Sequence, residues 1–143
     1  MNIQYVQIQR PFSFSSPFRG EEFATLIYVV DIAISDEEQK TLSDQIVASG
    51  CRYAVCAGHK CSTWDDSIDM AHVMCNLDNV TDDNLVMTTW HEDEPLEDIV
   101  DLFLNYTTFG NFVAKRMLVL VIGSNGATLG DIRDEITKQL LCT

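Results

Sequence analysis

The sequence predicts an α/β domain: a three-layer α/β/α sandwich around a four-stranded, mainly parallel sheet. Three observations predict it. Between residues 23 and 142, apolar runs of strand length alternate four times with amphipathic helical stretches. The runs are apolar at successive positions, as strands are when both sheet faces are covered. Polar turns carrying helix-capping residues separate each run from the helix that follows. The 143 residues, 46% hydrophobic and 22% charged, match the composition of one folded domain.

The first strand is read at residues 25–34, Thr-Leu-Ile-Tyr-Val-Val-Asp-Ile-Ala-Ile. Ser35-Asp-Glu-Glu38 then forms a capping box, in which the serine caps and Glu38 reaches back. Leu42, Ile46 and Val47 are the buried stripe of that helix, and Gly50 suits its left-handed end. The second strand is residues 52–57. Ser62 or Thr63 is expected to cap the next helix, with Asp65 and Asp66 beside its positive end. Trp64, Ile68, Ala71 and Cys75 share one face of this helix. Met70, Met74 and Leu77 form a second apolar strip, so the helix is expected to be well buried.

The third strand is read at residues 84–90, and Pro95 suits the first turn of the helix after it. Leu96, Ile99, Val100 and Phe103 recur at helical spacing, opposite Glu97, Asp98 and Asp101. The fourth strand is residues 117–122; Thr128 caps the last helix, lined by Leu129, Ile132, Ile136 and Leu140. Strand–helix alternation implies right-handed crossovers. The expected strand order is 2-1-3-4, by analogy with flavodoxin-like sheets. Residues 1–22 are set apart from the α/β domain at 23–143. Ile3, Tyr5 and Ile8 suit a short edge strand, and Pro11, Pro17 and the serine–phenylalanine stretch suit an extended arm.

Twenty-two acidic residues against nine basic ones give a formal charge of −13. That field repels phosphate backbones and excludes ordinary nucleic-acid binding, while it attracts a basic protein, a cation or a cationic ligand. Charge is also unevenly spread. No lysine or arginine occurs between Lys60 and Lys115, a stretch holding twelve of the 22 acids, from Asp65 to Asp101. No apolar run reaches membrane-spanning length and no secretory signal opens the chain. Five cysteines, an odd number, then point to reduced thiols in a cytoplasm. Cys56, His59 and Cys61, with His72, Cys75 or His91, are a zinc candidate, but structural zinc normally has two paired knuckles and none is complete here. Cys56, inside an apolar run, reads as a small core residue.

Ligands of open parallel sheets sit at the carboxyl ends of the strands. Those ends carry Asp31 and Ser35, then His59, Cys61, Trp64, Asp65 and Asp66, then Thr89, Trp90, His91, Glu92, Asp93 and Glu94, and finally Ser124 and Asn125. Both tryptophans and two of the three histidines fall on this one edge. Asp65, Asp66, Glu92 and Asp93 are candidate oxygen ligands for a divalent cation. His91 is the candidate general base, oriented by a neighbouring carboxylate. The alternative reading of these acids is charge complementation of helix N-termini. Gly123-Ser-Asn-Gly126 occupies the place of a phosphate loop but lacks its lysine and spacing.

Ser49-Gly-Cys-Arg-Tyr53, Cys61-Ser-Thr-Trp-Asp-Asp-Ser67, Pro17-Phe-Arg19 and residues 86–97 resemble a bacterial family of small acidic α/β domains of unknown function. The resemblance implies a Rossmann-like fold and no particular activity. Two functions follow from the residues. One is a non-enzymatic protein that docks a basic protein partner, as immunity or antitoxin-like proteins do. The other is a cation-dependent hydrolase or small-ligand sensor working at the strand edge with His91 as base.

Overall fold

The computed structural model describes residues 2–124 and 126–142. Along the chain run β1 (Asn2–Ile8), β2 (Phe23–Val29), α1 (Asp36–Ala48), β3 (Cys51–Gly58), α2 (Cys61–Cys75), β4 (Met87–His91), α3 (Leu96–Asn105), β5 (Arg116–Ile122) and α4 (Gly126–Leu141). The sheet has five strands, not four, in the order β1-β5-β2-β3-β4. Every pairing is parallel.

The expected order 2-1-3-4 is therefore wrong, and the helices show why. Side chains of α1 and α2 share one core with Ile27, Val29, Cys56, Leu118 and Leu120. Those of α3 and α4 share the opposite core with Leu26, Val55, Val119 and Val121. Two successive crossovers on one face step the chain outward from β2 to β3 to β4. Then α3 carries it back across the other face, and β5 lands on the free side of β2. Strand sequences encode how buried a strand is but not which neighbour it takes. The polar β4, Met-Thr-Thr-Trp-His, sits at one edge, and the apolar β5 is interior.

The N-terminal segment supplies the fifth strand. β1 pairs along all seven residues with β5, from Asn2 opposite Arg116 to Ile8 opposite Ile122. Its side chains divide between the layers, Ile3 and Tyr5 packing with the α3–α4 core and Val6 and Ile8 with the α1–α2 core. Beyond it, residues 9–22 run irregularly, yet Phe14 and Phe18 are buried with Phe23, at ring-centroid distances of 6.5 and 5.6 Å.

The first strand ends earlier than its apolar run. β2 stops at Val29, and Asp31 turns its carboxylate onto the backbone amide of Ala33 (2.7 Å) and the guanidinium of Arg10 (2.5 Å). The capping box of α1 is present as expected, with Ser35 accepting from the Glu38 amide and Glu38 accepting from the Ser35 amide. The cap of α2 is neither Ser62 nor Thr63. Lys60, at φ 52°, stands at that position with no side-chain cap bond, and the helix begins at Cys61. Pro95 is the residue preceding α3 rather than its first.

The other correction concerns α2. Trp64, Ile68 and Ala71 are buried as expected, but Met70, Met74 and Leu77 are exposed at 60, 56 and 59%, and Cys75 is exposed too. The sheet and α1 already fill the buried side of this helix. Its second strip faces outward.

Candidate functional site

The carboxyl ends of the strands form a rim whose middle is the β3–α2 turn. Gly58 closes β3 at φ +88°, so near Val29 that an added Cβ would lie 2.2 Å from that residue's carbonyl oxygen. The His59 amide donates to the same carbonyl (2.8 Å), and Lys60 turns the chain into α2. This turn separates two clefts. The smaller, about 110 Å³, is lined by Asp31, Ile34, Asp36, His59, Lys60 and Trp64, among others. The larger, about 300 Å³, is lined by Tyr28, His59, Lys60, Ile99 and residues 91–94.

His91 is the best-held polar group of the larger cleft. It ends β4, opposite Ala57 on the α3–α4 face. Its Nε2 lies 2.9 Å from the Thr89 hydroxyl, two residues back on the same face of the strand. Its Nδ1 lies 2.9 Å from Glu94 Oε2, three residues on. A carboxylate thus orients the imidazole. Glu92, Asp93 and Glu94 are exposed, and Asp93 adopts φ 58° in the tight turn before α3.

The two tryptophans stand at this end of the sheet without sharing a cleft. Trp64, 2% exposed, packs beneath the smaller one, whereas Trp90, 52% exposed, lines neither. Trp90 is in register with Cys56, whose side chain belongs to the α1–α2 core, so it projects from the edge strand on the face that α2 covers.

Asp65 and Asp66, neighbours in sequence, have different fates. Asp66 is exposed on α2. Asp65 is buried, and its Oδ1 has no hydrogen-bond partner. Burial raises its carboxyl above the ordinary aspartate value; the nearby Thr88 side chain acts in the opposite direction, and Asp69 and Asp66 add to the rise. The Thr88 hydroxyl donates to Asp69 (2.8 Å), which ties α2 to β4. Burial likewise raises the Cys61 thiol, although the backbone amide of His91 donates to it. Cys56 is fully buried and its thiol is raised by the same cause, as core packing predicts. Among the described residues, no three histidine, cysteine, aspartate or glutamate side chains converge as metal ligands. Asp65, Asp66, Glu92 and Asp93 are not brought together around one point, and neither are Cys56, His59 and Cys61.

The usual crevice of such a sheet lies between neighbouring strands whose following helices take opposite faces. Here that place is between β2 and β5, and the protein fills it. A Cβ on Gly123 would lie 2.5 Å from Val30 Cγ2 and 2.7 Å from the Asp31 amide nitrogen. The Gly123 amide donates to the Ile8 carbonyl (2.9 Å). Arg10 crosses this end and binds Asp31, Glu38 (3.2 Å) and the Ala33 carbonyl (2.6 Å). Ser124 therefore adjoins a closed junction, and Asn125 lies outside the described residues. The role of Arg10 escapes sequence reasoning, whereas Thr89 and Glu94 stand among the edge residues of the sequence without an assigned contact. Of these, only the three-residue spacing of His91 and Glu94 carried a local signal.

The acidic stretch is the most uniform feature outside the rim. Of its twelve acids, all but Asp65 are exposed. Among the described residues none of the twelve pairs with a lysine or arginine, and Glu94 alone has an ionisable partner, His91. Asp83 and Asp101 accept from Asn111 and Asn105, and Asp69 from Thr88. Arg10, Lys40, Arg52 and Arg116 pair with acids outside this stretch, and the guanidinium of Arg52, bound to Glu22 at 2.9 Å, lies over Phe109 and Phe112.

These features define a parallel α/β domain whose rim is closed at the junction of β2 and β5 and clefted on either side of the β3–α2 turn. The chain belongs to the family described as domain of unknown function DUF7684, whose model matches residues 3–140. No curated protein and no solved structure matches it. No described helix is long and apolar enough to cross a membrane.

Proposed function

We propose that this domain is a non-enzymatic docking protein for a basic protein partner, acting in the cytoplasm. The observation that carries the reading is the run of exposed carboxylates from Asp66 to Asp101, uncompensated by any lysine or arginine. Carboxylates spread over a helix, a loop and a second helix suit a broad surface carrying several lysines or arginines better than one ion. Such a field raises encounter rates, and salt screens it. Stopped-flow association with a lysine-rich peptide tests the reading. Association slows steeply between about 50 and about 300 mM salt, and slows in the variant carrying Glu92→Gln, Asp93→Asn, Glu97→Gln and Asp98→Asn. A rate indifferent to both changes contradicts it.

A second reading is favoured by one observation, the order hydroxyl–imidazole–carboxylate in Thr89, His91 and Glu94. It is the order in which a base is oriented and coupled to a proton donor. On this reading the larger cleft takes a small ligand, and His91 moves a proton in a hydrolase or senses the ligand. A divalent cation would first neutralise Glu92 and Asp93 before any anionic substrate approached. Calorimetry with magnesium, manganese, calcium and zinc, on the native protein and on His91→Gln, tests it. Absence of heat at millimolar cation removes the cation-dependent form.

A further inference from the structure

Helix α2 has two apolar faces and the fold uses one. Met70, Val73 and Met74 recur at positions i, i+3 and i+4, which places them in one row on the surface of the helix. Leu77 lies in the turn beyond the helix, two residues past Cys75 and just after the Asn76 cap. All four are exposed, Val73 at 46%. A single exposed apolar residue is ordinary, but a continuous row along one helix marks a contact surface. Two methionines contribute to it, and flexible thioether side chains adapt to a partner's shape.

Charge says what covers the row. Asp66 and Asp69 lie one turn before Met70 and Val73, Asp78 follows Leu77, and Asp82 and Asp83 come soon after. No lysine or arginine lies on α2 or in the loop beyond it. A second copy of this chain would bring one acidic margin against another, each chain carrying a formal −13. A basic partner would meet opposite charge all along the row. Its complement in shape is another helix, since a row at this spacing packs into the groove of a facing helix.

We infer that the outer face of α2 is the dock for an amphipathic helix of the basic partner, apolar residues on Met70, Val73, Met74 and Leu77 and lysines or arginines on the flanking aspartates. The inference rests on the docking reading and locates its centre. The partner's apolar stripe supplies affinity, while the aspartates fix its direction and exclude acidic helices.

The test uses two synthetic peptides of identical leucine and lysine composition, one patterned as an amphipathic helix and one scrambled. Calorimetry on the whole protein compares them, and sedimentation reports the protein's own association state. The patterned peptide is expected to bind at least about tenfold more tightly than the scrambled one, and Met70→Gln with Leu77→Gln is expected to erase that difference. Both substitutions are at exposed positions and leave the thermal unfolding curve in place. Equal binding of the two peptides overturns the helix dock but leaves the acidic docking surface standing. Binding of neither at low salt removes both. A stable dimer that the double substitution dissociates also overturns the inference, because the row is then covered by a copy of the chain.

Discussion

Helices α2 and α3 make an instructive pair, because each follows a neighbouring strand and carries several carboxylates. In α3 a single stripe, Ile99, Val100, Phe103 and Leu104, is buried against the sheet, and Glu97, Asp98 and Asp101 occupy the wet side. Every apolar side chain of that stripe is explained by folding. In α2 and the turn after it, Trp64, Ile68 and Ala71 account for folding, and Met70, Val73, Met74 and Leu77 are left over. The difference separates sequence hydrophobicity that the fold requires from hydrophobicity that it does not, and the second kind asks for a partner.

The sharpest way to break this comparison is to remove side chains from each stripe. Phe103→Ala empties a fully buried site in α3 and is expected to lower stability by about 3–5 kcal/mol in urea unfolding. Ile68→Ala on the inner face of α2 is expected to lose about 2–5 kcal/mol. A loss near zero at Ile68 would mean that α2 does not pack as described.

Asp65 sharpens the comparison through pH. Its carboxyl is raised in the fold, so the folded state binds the proton more tightly than the unfolded chain does. Stability therefore falls as pH rises from the ordinary aspartate value through the raised one, and the charged form carries the penalty at neutral pH. Asp65→Asn is expected to raise the melting temperature at neutral pH, with the gain shrinking as pH falls through the raised value and gone below about 4. A gain of the same size at both pH values would show that desolvation of the charge is not its cause. The smallest effect is expected on the outer row. Met70→Gln and Leu77→Gln should each change stability by no more than about 0.5 kcal/mol, because nothing in the fold rests on them.

Much of this architecture was legible in the chain. Alternating runs locate four strands and four helices, and the capping box at Ser35 needs no tertiary information because its two bonds are local. The β2–β5 pairing was not legible, since it is set by the face that α3 crosses. Nor was the closing of the rim at Gly123, which depends on Val30 and Asp31 across the sheet. The three-residue spacing of His91 and Glu94 is local, but the bond of His91 to Thr89 becomes visible only once both are known to face the α3–α4 side. The second strip of α2 is visible in the sequence, but its outward orientation is not. Periodicity shows that a helix has an apolar face, and only the count of packing partners shows whether that face is covered.

Methionine-methyl NMR tests the central claim most directly, because the side chains fall into contrasting environments. Met70 and Met74 lie on the outer row of α2, Met87 is on the edge strand, and Met117 is fully buried in β5. On titration with the patterned basic helix, the Met70 and Met74 methyl signals should move together and saturate, while Met117 stays fixed. Movement confined to Met87, or no movement at Met70 and Met74 while the peptide binds, would contradict the account.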